Sequence, residues 1–263
     1  GSAWGLLSSE GEKTMSTLRG WLFYIVLAIT LIPVAIVVIL MYPLPLAWRY
    51  RVGASWARFI LWCADALCGV RYEVKGMENF PKDNRPVLVL SKHQSAWEVF
   101  WMISHVPNHA TFVYKRELHY VPVFGQAIAT LKMIAIDRKA HGRAYEQVLK
   151  QSREKIAQGW SIVMFPEGTR TAPGEENPHY KSGGARLAVA TGLPIVPIAL
   201  NSGQLWPRNS IAKKPGTITV SVGPMIESTG KDFDEVQTEL VDWIETEMRR
   251  ISPEAYAREA TRV

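Results

Sequence analysis

A histidine and a carboxylate five positions apart are the first residues in this sequence whose types and spacing could do chemistry. His93 and Glu98 stand in the stretch SKHQSAWEVF, which follows the apolar run PVLVL. A neutral imidazole that is oriented by a carboxylate can take a proton from a reacting group. The spacing alone proves nothing, because 6 histidines and 24 acidic residues in 263 positions give about 0.5 such pairs by chance. The rest of the chain has to decide whether this pair is catalytic.

Positively charged side chains follow several other apolar runs. Lys115 and Arg116 follow ATFVY, Asp137 and Arg138 follow KMIAI, and WSIVMF is followed by PEGTR, which ends at Arg170. Arginine binds a phosphate group through paired hydrogen bonds, and lysine binds it as a point charge. Any single one of these cations is more often a solvated surface charge. Four of them at the ends of apolar runs predict an anionic ligand that carries a phosphate.

The apolar runs that precede these residues resemble strands of a buried sheet, because several lack the alternation of a half-exposed strand. The runs lie at residues 71–74, 86–90, 110–114, 132–136, 160–165, 193–200 and 217–222. Helical patterns lie between them, most clearly at 142–158 and 232–250. The alternation predicts an α/β fold with a mixed, largely parallel sheet flanked by helices. Ligands of such sheets bind beyond the carboxyl ends of the strands, where the candidate residues lie.

An uncharged stretch near the beginning of the chain predicts a membrane anchor. Residues 20–48 contain no charged side chain, and a bilayer core needs about 20 helical residues. Pro33 is expected to kink this helix, so the segment either spans the bilayer at a tilt or enters and leaves one leaflet. Arginines and aromatic residues mix in the stretch 49–70, which predicts an amphipathic helix in the headgroup layer. The positive-inside rule then favours the inner (cytoplasmic) membrane, with everything after the anchor on the cytoplasmic side.

The chain is expected to divide into three segments. Residues 1–14 begin with GS and have the character of a cloning remnant, residues 15–69 form the membrane-anchoring helical segment, and residues 70–263 form the α/β domain. The net charge of +6 favours an anionic partner such as a membrane surface or a phosphorylated substrate. Cys63 and Cys68 have no histidine cluster near them, so they predict buried free thiols and no metal site.

A family resemblance rests on blocks of residues around these positions. FPEGTR at 165–170, together with the upstream histidine and acid, resembles the glycerolipid acyltransferase family, and within it most of all the bacterial 1-acyl-glycerol-3-phosphate acyltransferases. The blocks KREL (115–118), MIAIDR (133–138) and VPIAL (196–200) follow the family order. The family usually has an N-terminal membrane anchor. It also usually has aspartate where this chain has Glu98, so the acidic side chain of this dyad is longer than is usual in the family.

The resemblance implies transfer of an acyl chain from a thioester to the sn-2 hydroxyl of lysophosphatidic acid, which gives phosphatidic acid. His93 would be the general base, and Glu98 would orient its ring and stabilise the imidazolium. The resemblance implies acceptor contacts for Lys115, Arg116, Arg138, Glu167, Gly168, Thr169 and Arg170, with Lys181 as a further match. No cofactor and no metal are implied. The co-substrate would be acyl-coenzyme A or acyl–acyl carrier protein.

The tetrahedral oxyanion of such a reaction needs hydrogen-bond donors. Backbone N–H groups near residues 167–169 or at the start of the helix after His93 are the candidates. Ser95 could be an acylated serine, but a turn role explains it more simply, because the acceptor hydroxyl can attack the thioester directly.

Two other functions stay open at this point. The same fold could acylate another lysophospholipid, glycerol 3-phosphate or a lipid A precursor, or the chain could be a non-catalytic membrane-tethered protein that binds anionic lipid. Nucleic-acid binding is not expected, because no recognised module interleaves aromatic and basic residues. The expected partners are therefore lysophosphatidic acid, an acyl thioester and membrane lipids.

Overall fold

The computed structural model describes residues 3–137, 142–176 and 178–260. The α-helices are α1 (Ala3–Leu40), α2 (Leu46–Cys68), α3 (Trp97–His105), α4 (Phe124–Thr130), α5 (Gly142–Ala157), α6 (Gly183–Thr191), α7 (Ser202–Leu205), α8 (Phe233–Ile251) and α9 (Pro253–Ala260). The strands are β1 (Val70–Lys75), β2 (Leu88–Ser91), β3 (Ala110–Lys115), β4 (Ile134–Ile136), β5 (Ser161–Met164), β6 (Ile195–Leu200) and β7 (Gly216–Val222). Every strand overlaps one of the runs that the sequence predicts.

One seven-stranded sheet has the order β1-β7-β6-β2-β5-β3-β4. Neighbouring strands are parallel except for β6 and β7, which are antiparallel. The edge strand β1 pairs with β7 in a register that places Glu73 opposite Thr219. The predicted mixed, largely parallel sheet is confirmed. Because β2 to β6 run in the same direction, the loops after them reach the same edge of the sheet.

Helices cover the two faces of the sheet and bury its central strands. All residues of β2 and β6 are buried, because α2 and α3 cover one face while α6 and α8 cover the other. The helix α8 begins with a capping box, in which the side chain of Asp232 accepts hydrogen bonds from two backbone N–H groups. Four apolar side chains on one face of α8 are buried against the sheet side, at Val236, Leu240, Ile244 and Met248.

The first helix has the length and composition of a membrane anchor. Within α1, residues Gly11–Leu40 are long and apolar enough to cross a bilayer, and most of this stretch is exposed. The buried stripe of α1, which includes Phe23 and Ala35, packs on α2, α4 and the α/β domain. Gly20 lets the helix approach closely, because a Cβ atom there would lie 2.1 Å from the carbonyl oxygen of Ile211. This apolar helix indicates that the protein associates with a membrane.

The second helix agrees only partly with its predicted place in the headgroup layer. Trp48 and Trp62 are more than half exposed, as that prediction requires. Arg49 is instead buried, and its guanidinium donates a hydrogen bond to the carbonyl of Thr130, because this side of α2 packs on the domain. The free thiols predicted in this helix are buried, at Cys63 and Cys68.

Candidate active site

Three loops meet at the carboxyl edge of the sheet. The order β6-β2-β5 makes these strands neighbours, so the residues that follow them are brought together. Residues 92–96 connect β2 to α3, the FPEGTR block follows β5, and the short helix α7 follows β6. Each loop therefore brings its polar residues to one place, although they are far apart in the chain.

The His93–Glu98 pair that the sequence singles out is formed in the structure. Nδ1 of His93 lies 2.9 Å from Oε1 of Glu98. The imidazole stacks on the ring of Phe165, with 4.0 Å between the ring centres, and its side chain is 15% exposed. Within the part of the chain that the structure describes, no protein group hydrogen-bonds to Nε2 of His93. Nδ1 is thus paired with Glu98, and Nε2 is available to a ligand.

The carboxylate of Glu98 is fully buried and accepts several hydrogen bonds. Its Oε1 also accepts from the backbone N–H groups of Gln94 and Ser95, each at 2.7 Å. Its Oε2 accepts from the hydroxyls of Ser95 at 2.8 Å and Ser202 at 2.7 Å. Burial by itself raises the pKa of Glu98, but the hydrogen bonds and the interaction with His93 outweigh it, so the pKa is lowered overall.

The ionised state of Glu98 decides the tautomer of His93. A carboxylate can only accept hydrogen bonds, so Nδ1 must carry the proton that it shares with Glu98. In the neutral imidazole, Nε2 then carries the lone pair, and this is the form of imidazole that acts as a base. The arrangement can take a proton from a group placed next to Nε2 and stabilise the resulting imidazolium.

A second buried network lies beside the pair and is built on Lys92. The ammonium of Lys92 lies 2.8 Å from Glu167 and 3.0 Å from Glu245, and Tyr180 donates to the same oxygen of Glu245 at 2.6 Å. Oε2 of Glu167 accepts the backbone N–H of His93 at 2.6 Å. This network therefore joins the FPEGTR turn to the histidine loop and to helix α8.

The side chain of Glu167 is committed to these internal contacts. Besides Lys92 and the backbone of His93, it accepts a hydrogen bond from the hydroxyl of Thr171 at 2.7 Å. Burial raises the pKa of Glu167, and the positive charge of Lys92 offsets part of that rise. The backbone N–H of Thr171 in turn donates to the carbonyl of His93 at 2.8 Å. The turn after β5 and the loop after β2 thus hold each other in place.

The remaining residues of the FPEGTR block lie on the open side of the turn. Gly168 has a φ of +68°, and a Cβ atom there would lie 2.9 Å from Nζ of Lys181. The turn therefore favours glycine for its left-handed conformation, whereas the flexible end of Lys181 could move away from a Cβ atom. Thr169 is exposed and Arg170 is half-buried. Among the described residues, no acidic side chain pairs with the guanidinium of Arg170.

The predicted cations at the end of β3 lie at the same edge, further along the sheet. Lys115 ends β3 and is exposed, and Arg116 follows it with its guanidinium 3.9 Å from the carboxylate of Asp137. Arg138 lies outside the described residues. Within the described ranges, no cluster of His, Cys, Asp and Glu side chains could hold a metal ion.

Comparisons with known proteins show the family to which the chain belongs. A family model described as Acyltransferase matches residues 71–201. A 1-acyl-sn-glycerol-3-phosphate acyltransferase from Pseudomonas aeruginosa is 41% identical over 246 residues, which cover 92% of this chain and 94% of that protein. The chain belongs to the acyltransferase family.

Other members of the acyltransferase family extend this agreement. The 1-acyl-sn-glycerol-3-phosphate acyltransferase alpha of Mus musculus is 32% identical over 224 residues, covering 84% of this chain and 74% of the mouse protein. The crystal structure of the 1-acyl-sn-glycerophosphate acyltransferase PlsC from Thermotoga maritima matches with a TM-score of 0.74 at 21% identity. The match covers 91% of this chain and 98% of that one, and it shows that the fold is shared. The resemblance identified in the sequence is confirmed.

Several residues of this acyltransferase site are not evident from sequence patterns. Lys92 adjoins His93 in SKHQS, and this adjacency could mark it as a site residue. The burial of Lys92 is evident only in the structure. Ser202 carried no signal, because it is 104 positions from Glu98. Ser95 is fully buried with its hydroxyl donating to Glu98 and accepting from the N–H of Trp97, which is a turn role. The backbone N–H groups of Gln94 and Ser95, in the loop between His93 and helix α3, donate to Glu98, so they are already used in the structure.

Proposed function

We propose that this acyltransferase transfers an acyl chain from an acyl thioester to the sn-2 hydroxyl of lysophosphatidic acid and forms phosphatidic acid. The observation that carries the proposal is the buried, ionised Glu98 held against Nδ1 of His93, which leaves Nε2 free of described partners. The names of the relatives support the acceptor, because the bacterial and mammalian proteins alike are named for 1-acyl-sn-glycerol-3-phosphate. The acyl donor is a coenzyme A or acyl carrier protein thioester.

The proposed reaction needs one base and no enzyme nucleophile. Nε2 of His93 takes the proton of the sn-2 hydroxyl as the oxygen attacks the thioester carbonyl, and the carbon–oxygen bond forms. Glu98 stabilises the imidazolium while the tetrahedral intermediate exists. The carbon–sulfur bond then breaks, and the imidazolium returns the proton to the leaving sulfur. The products are phosphatidic acid and a free thiol, and His93 is neutral again.

The turn after β5 is the proposed source of oxyanion donors. The N–H of Gly168 is already used by the carbonyl of Phe165 at 2.9 Å. The N–H groups of Thr169 and Arg170 are not used by any group in the described part of the chain, so we assign the oxyanion to them. Gly168 shapes the turn that presents these two groups.

The proposed acceptor site uses cations at the carboxyl edge of the sheet. Arg170 is the principal phosphate contact in this proposal, because the residue is half-buried and its guanidinium lacks an acidic partner among the described residues. Lys115 and Arg116 add positive charge further along the edge, and the proposal keeps Arg138, outside the described residues, as a further phosphate contact. Glu167 acts indirectly, since its carboxylate holds the loop that carries His93.

The proposed location is the inner (cytoplasmic) membrane with the α/β domain on the cytoplasmic side. The apolar helix α1 supports membrane association, and a lysophospholipid acceptor is a membrane component. The arginines after the anchor support the cytoplasmic side through the positive-inside rule.

The test is an assay of the purified full-length enzyme with lysophosphatidic acid and a panel of acyl thioesters. Mass spectrometry follows phosphatidic acid, and a thiol reagent follows the free thiol in equal amount. His93→Ala should abolish product formation, whereas His105→Ala, at the other end of helix α3, should retain it. Parallel reactions with other lysophospholipids and with glycerol 3-phosphate test the acceptor. Equal rates with those acceptors, or an active His93→Ala enzyme, would contradict the proposal.

A further inference from the structure

We propose that Ser202 is a positioning residue for the Glu98–His93 pair, and that the anchor helix α1 keeps Ser202 in place through Trp206. The inference rests on the proposed function, since it explains how the catalytic carboxylate is fixed. It assigns to the anchor a part in catalysis that is separate from membrane attachment.

The hydrogen bond from Ser202 differs from the others that Glu98 accepts. Four of the five donors to this carboxylate lie in residues 93–95, so they belong to the same loop and move with it. Ser202 alone among these donors comes from another element, the start of α7 after β6, with its hydroxyl 2.7 Å from Oε2. It therefore ties the carboxylate to the central sheet.

The identity of residue 98 makes this tie more important. Glutamate has one more rotatable bond than aspartate, so its carboxylate can occupy more positions relative to the backbone. A donor from outside the loop removes that freedom, because the carboxylate must accept hydrogen bonds from the loop and from Ser202 at the same time. Ser202 is fully buried, and so its hydroxyl is confined as well.

Helix α7 fits closely against the histidine loop at a second point. The backbone N–H of Gly203 donates to Oε1 of Gln94 at 3.2 Å. A Cβ atom on Gly203 would lie 2.9 Å from Cβ of Gln94 and 3.1 Å from Pro173, so only glycine permits this approach. The position of α7 is thus transmitted directly to the loop that carries His93.

The other end of α7 is held by the anchor. The backbone N–H of Trp206 donates to the carbonyl of Ser202 at 2.8 Å, which makes the two residues the ends of one helical turn. The indole packs edge-to-face on Phe23 of α1, with 4.9 Å between ring centres, and both residues are buried. The ammonium of Lys213 lies 4.8 Å from the same indole and donates to the hydroxyl of Tyr24 on α1.

The consequence is a continuous set of contacts from the anchor to the catalytic pair. Phe23 holds Trp206, Trp206 ends the turn that begins at Ser202, and Ser202 holds Glu98. A loosened contact at Phe23 should therefore lower turnover even where no membrane is needed. An ordinary anchor would affect only the delivery of substrate from the bilayer.

The first experiment compares Ser202→Ala with Ser228→Ala. Ser228 is also buried, and its hydroxyl donates to two backbone carbonyls on the opposite face of the sheet. Ser202→Ala should lower kcat by about 10- to 100-fold, the usual effect of a lost hydrogen bond to a charged group, with KM for both substrates nearly unchanged. Ser202→Thr, which keeps the hydroxyl, should recover most of this loss. Equal kcat values for Ser202→Ala and Ser228→Ala would overturn the proposal.

The second experiment compares Phe23→Ala with Ile25→Ala in detergent-dispersed substrate. Ile25 lies on the exposed side of the same helix, so both variants lose one apolar side chain from α1. Phe23→Ala should lower kcat by about 2- to 10-fold, in keeping with a lost aromatic contact, and Ile25→Ala should not. If the two variants have the same kcat, the anchor does not act through Trp206.

A spectroscopic measurement separates this proposal from the proposed function. The Nδ1 proton of His93, assigned by its loss in His93→Ala, reports the hydrogen bond to Glu98 by its downfield NMR signal. The signal should shift or broaden in Ser202→Ala and in Phe23→Ala, and it should stay unchanged in both control variants. A wild-type protein that forms no phosphatidic acid would refute the function, while this signal would still decide the role of Ser202.

Discussion

Oε1 of Glu98 lies 2.9 Å from Nδ1 of His93, on a carboxylate that solvent does not reach. Burial removes the water molecules that would solvate this carboxylate, and fixed hydrogen-bond donors of the protein replace them. These hydrogen bonds keep the carboxylate ionised despite its burial. Its charge and its shape can be changed separately by mutation, which makes the pair accessible to experiment.

Glu98→Gln should fold normally and lose at least about 100-fold in turnover, in line with general-base contributions of roughly 10²–10⁴. The glutamine oxygen can take the place of Oε1, and its NH₂ group can donate to the hydroxyls of Ser95 and Ser202. Shape is kept while the negative charge is lost. Glu98→Asp should retain more activity, because it keeps the charge. Initial rates, with circular dichroism as the folding control, test this; near-normal turnover of Glu98→Gln would rule out the dyad.

Arg170→Ala should impair use of the lysophosphatidic acid acceptor far more than use of the thioester. One charge-assisted phosphate contact contributes about 1.5–3 kcal/mol, so KM for the acceptor should rise roughly 10- to 150-fold. The matched control is Arg71→Ala, which removes an exposed arginine on the edge strand β1. Steady-state kinetics with each substrate varied in turn give the comparison. Unchanged acceptor kinetics would remove Arg170 from the site.

Lys92→Met should destabilise the protein strongly. The change leaves the buried carboxylate of Glu167 without its counter-ion and removes a partner of Glu245, and breaking such a buried pair costs about 3–5 kcal/mol. Lys75→Met removes the exposed ion pair with Glu73 and should cost less than about 1 kcal/mol. Denaturant unfolding of both variants tests the contrast. Similar unfolding free energies would mean that the Lys92 network contributes little.

Ile29→Lys should weaken the association of the protein with liposomes. Ile29 is on the exposed side of α1, and a lysine at the centre of an apolar helix costs about 2.5–3.5 kcal/mol on insertion. Val189→Lys introduces the same charge on the exposed side of α6, on the opposite face of the sheet, and should float with liposomes as the wild type does. Equal flotation of both variants would show that α1 is not the anchor.

The stability of the protein should depend on Lys155 between about pH 8 and pH 10.5. Burial, helped by the charges of Lys132 and Arg49, lowers the pKa of Lys155 from 10.5 to about 8. In that window the unfolded chain holds a proton that the folded chain lacks, so stability rises with pH and is lowest below pH 8. Lys155→Met should therefore stabilise the protein more at pH 7 than at pH 10.

The control for this titration is Lys150→Met, which removes an exposed lysine from the same helix. Unfolding free energies of the wild type and both variants are measured at pH 7 and pH 10. A gain for Lys155→Met that is the same at both pH values would show that its ammonium does not titrate in this window.

The sequence patterns predict those features of the fold and the site that depend on the composition of one short segment. The strands β2 and β6 were evident because their residues are apolar without alternation, and α5 because its apolar residues recur at helical spacing. His93 and Glu98 lie in one loop, so their pairing was also visible as a spacing.

Features that depend on contacts distant in the chain were not visible. The order of the strands and the reversal between β6 and β7 are set by packing between distant segments. Ser202 meets Glu98 only because β6 and β2 are neighbours in the sheet. The aromatic neighbours of Arg49 predict a place in the headgroup layer, yet the fold buries Arg49 beside Thr130.

The pairing of β1 with β7 sets an order of events during synthesis of the chain. Glu73 and its partner Thr219 are 146 positions apart, so this edge of the sheet cannot close until most of the protein has left the ribosome. The apolar helix α1 emerges long before that point. The domain therefore completes its sheet only after the whole of this apolar helix has emerged.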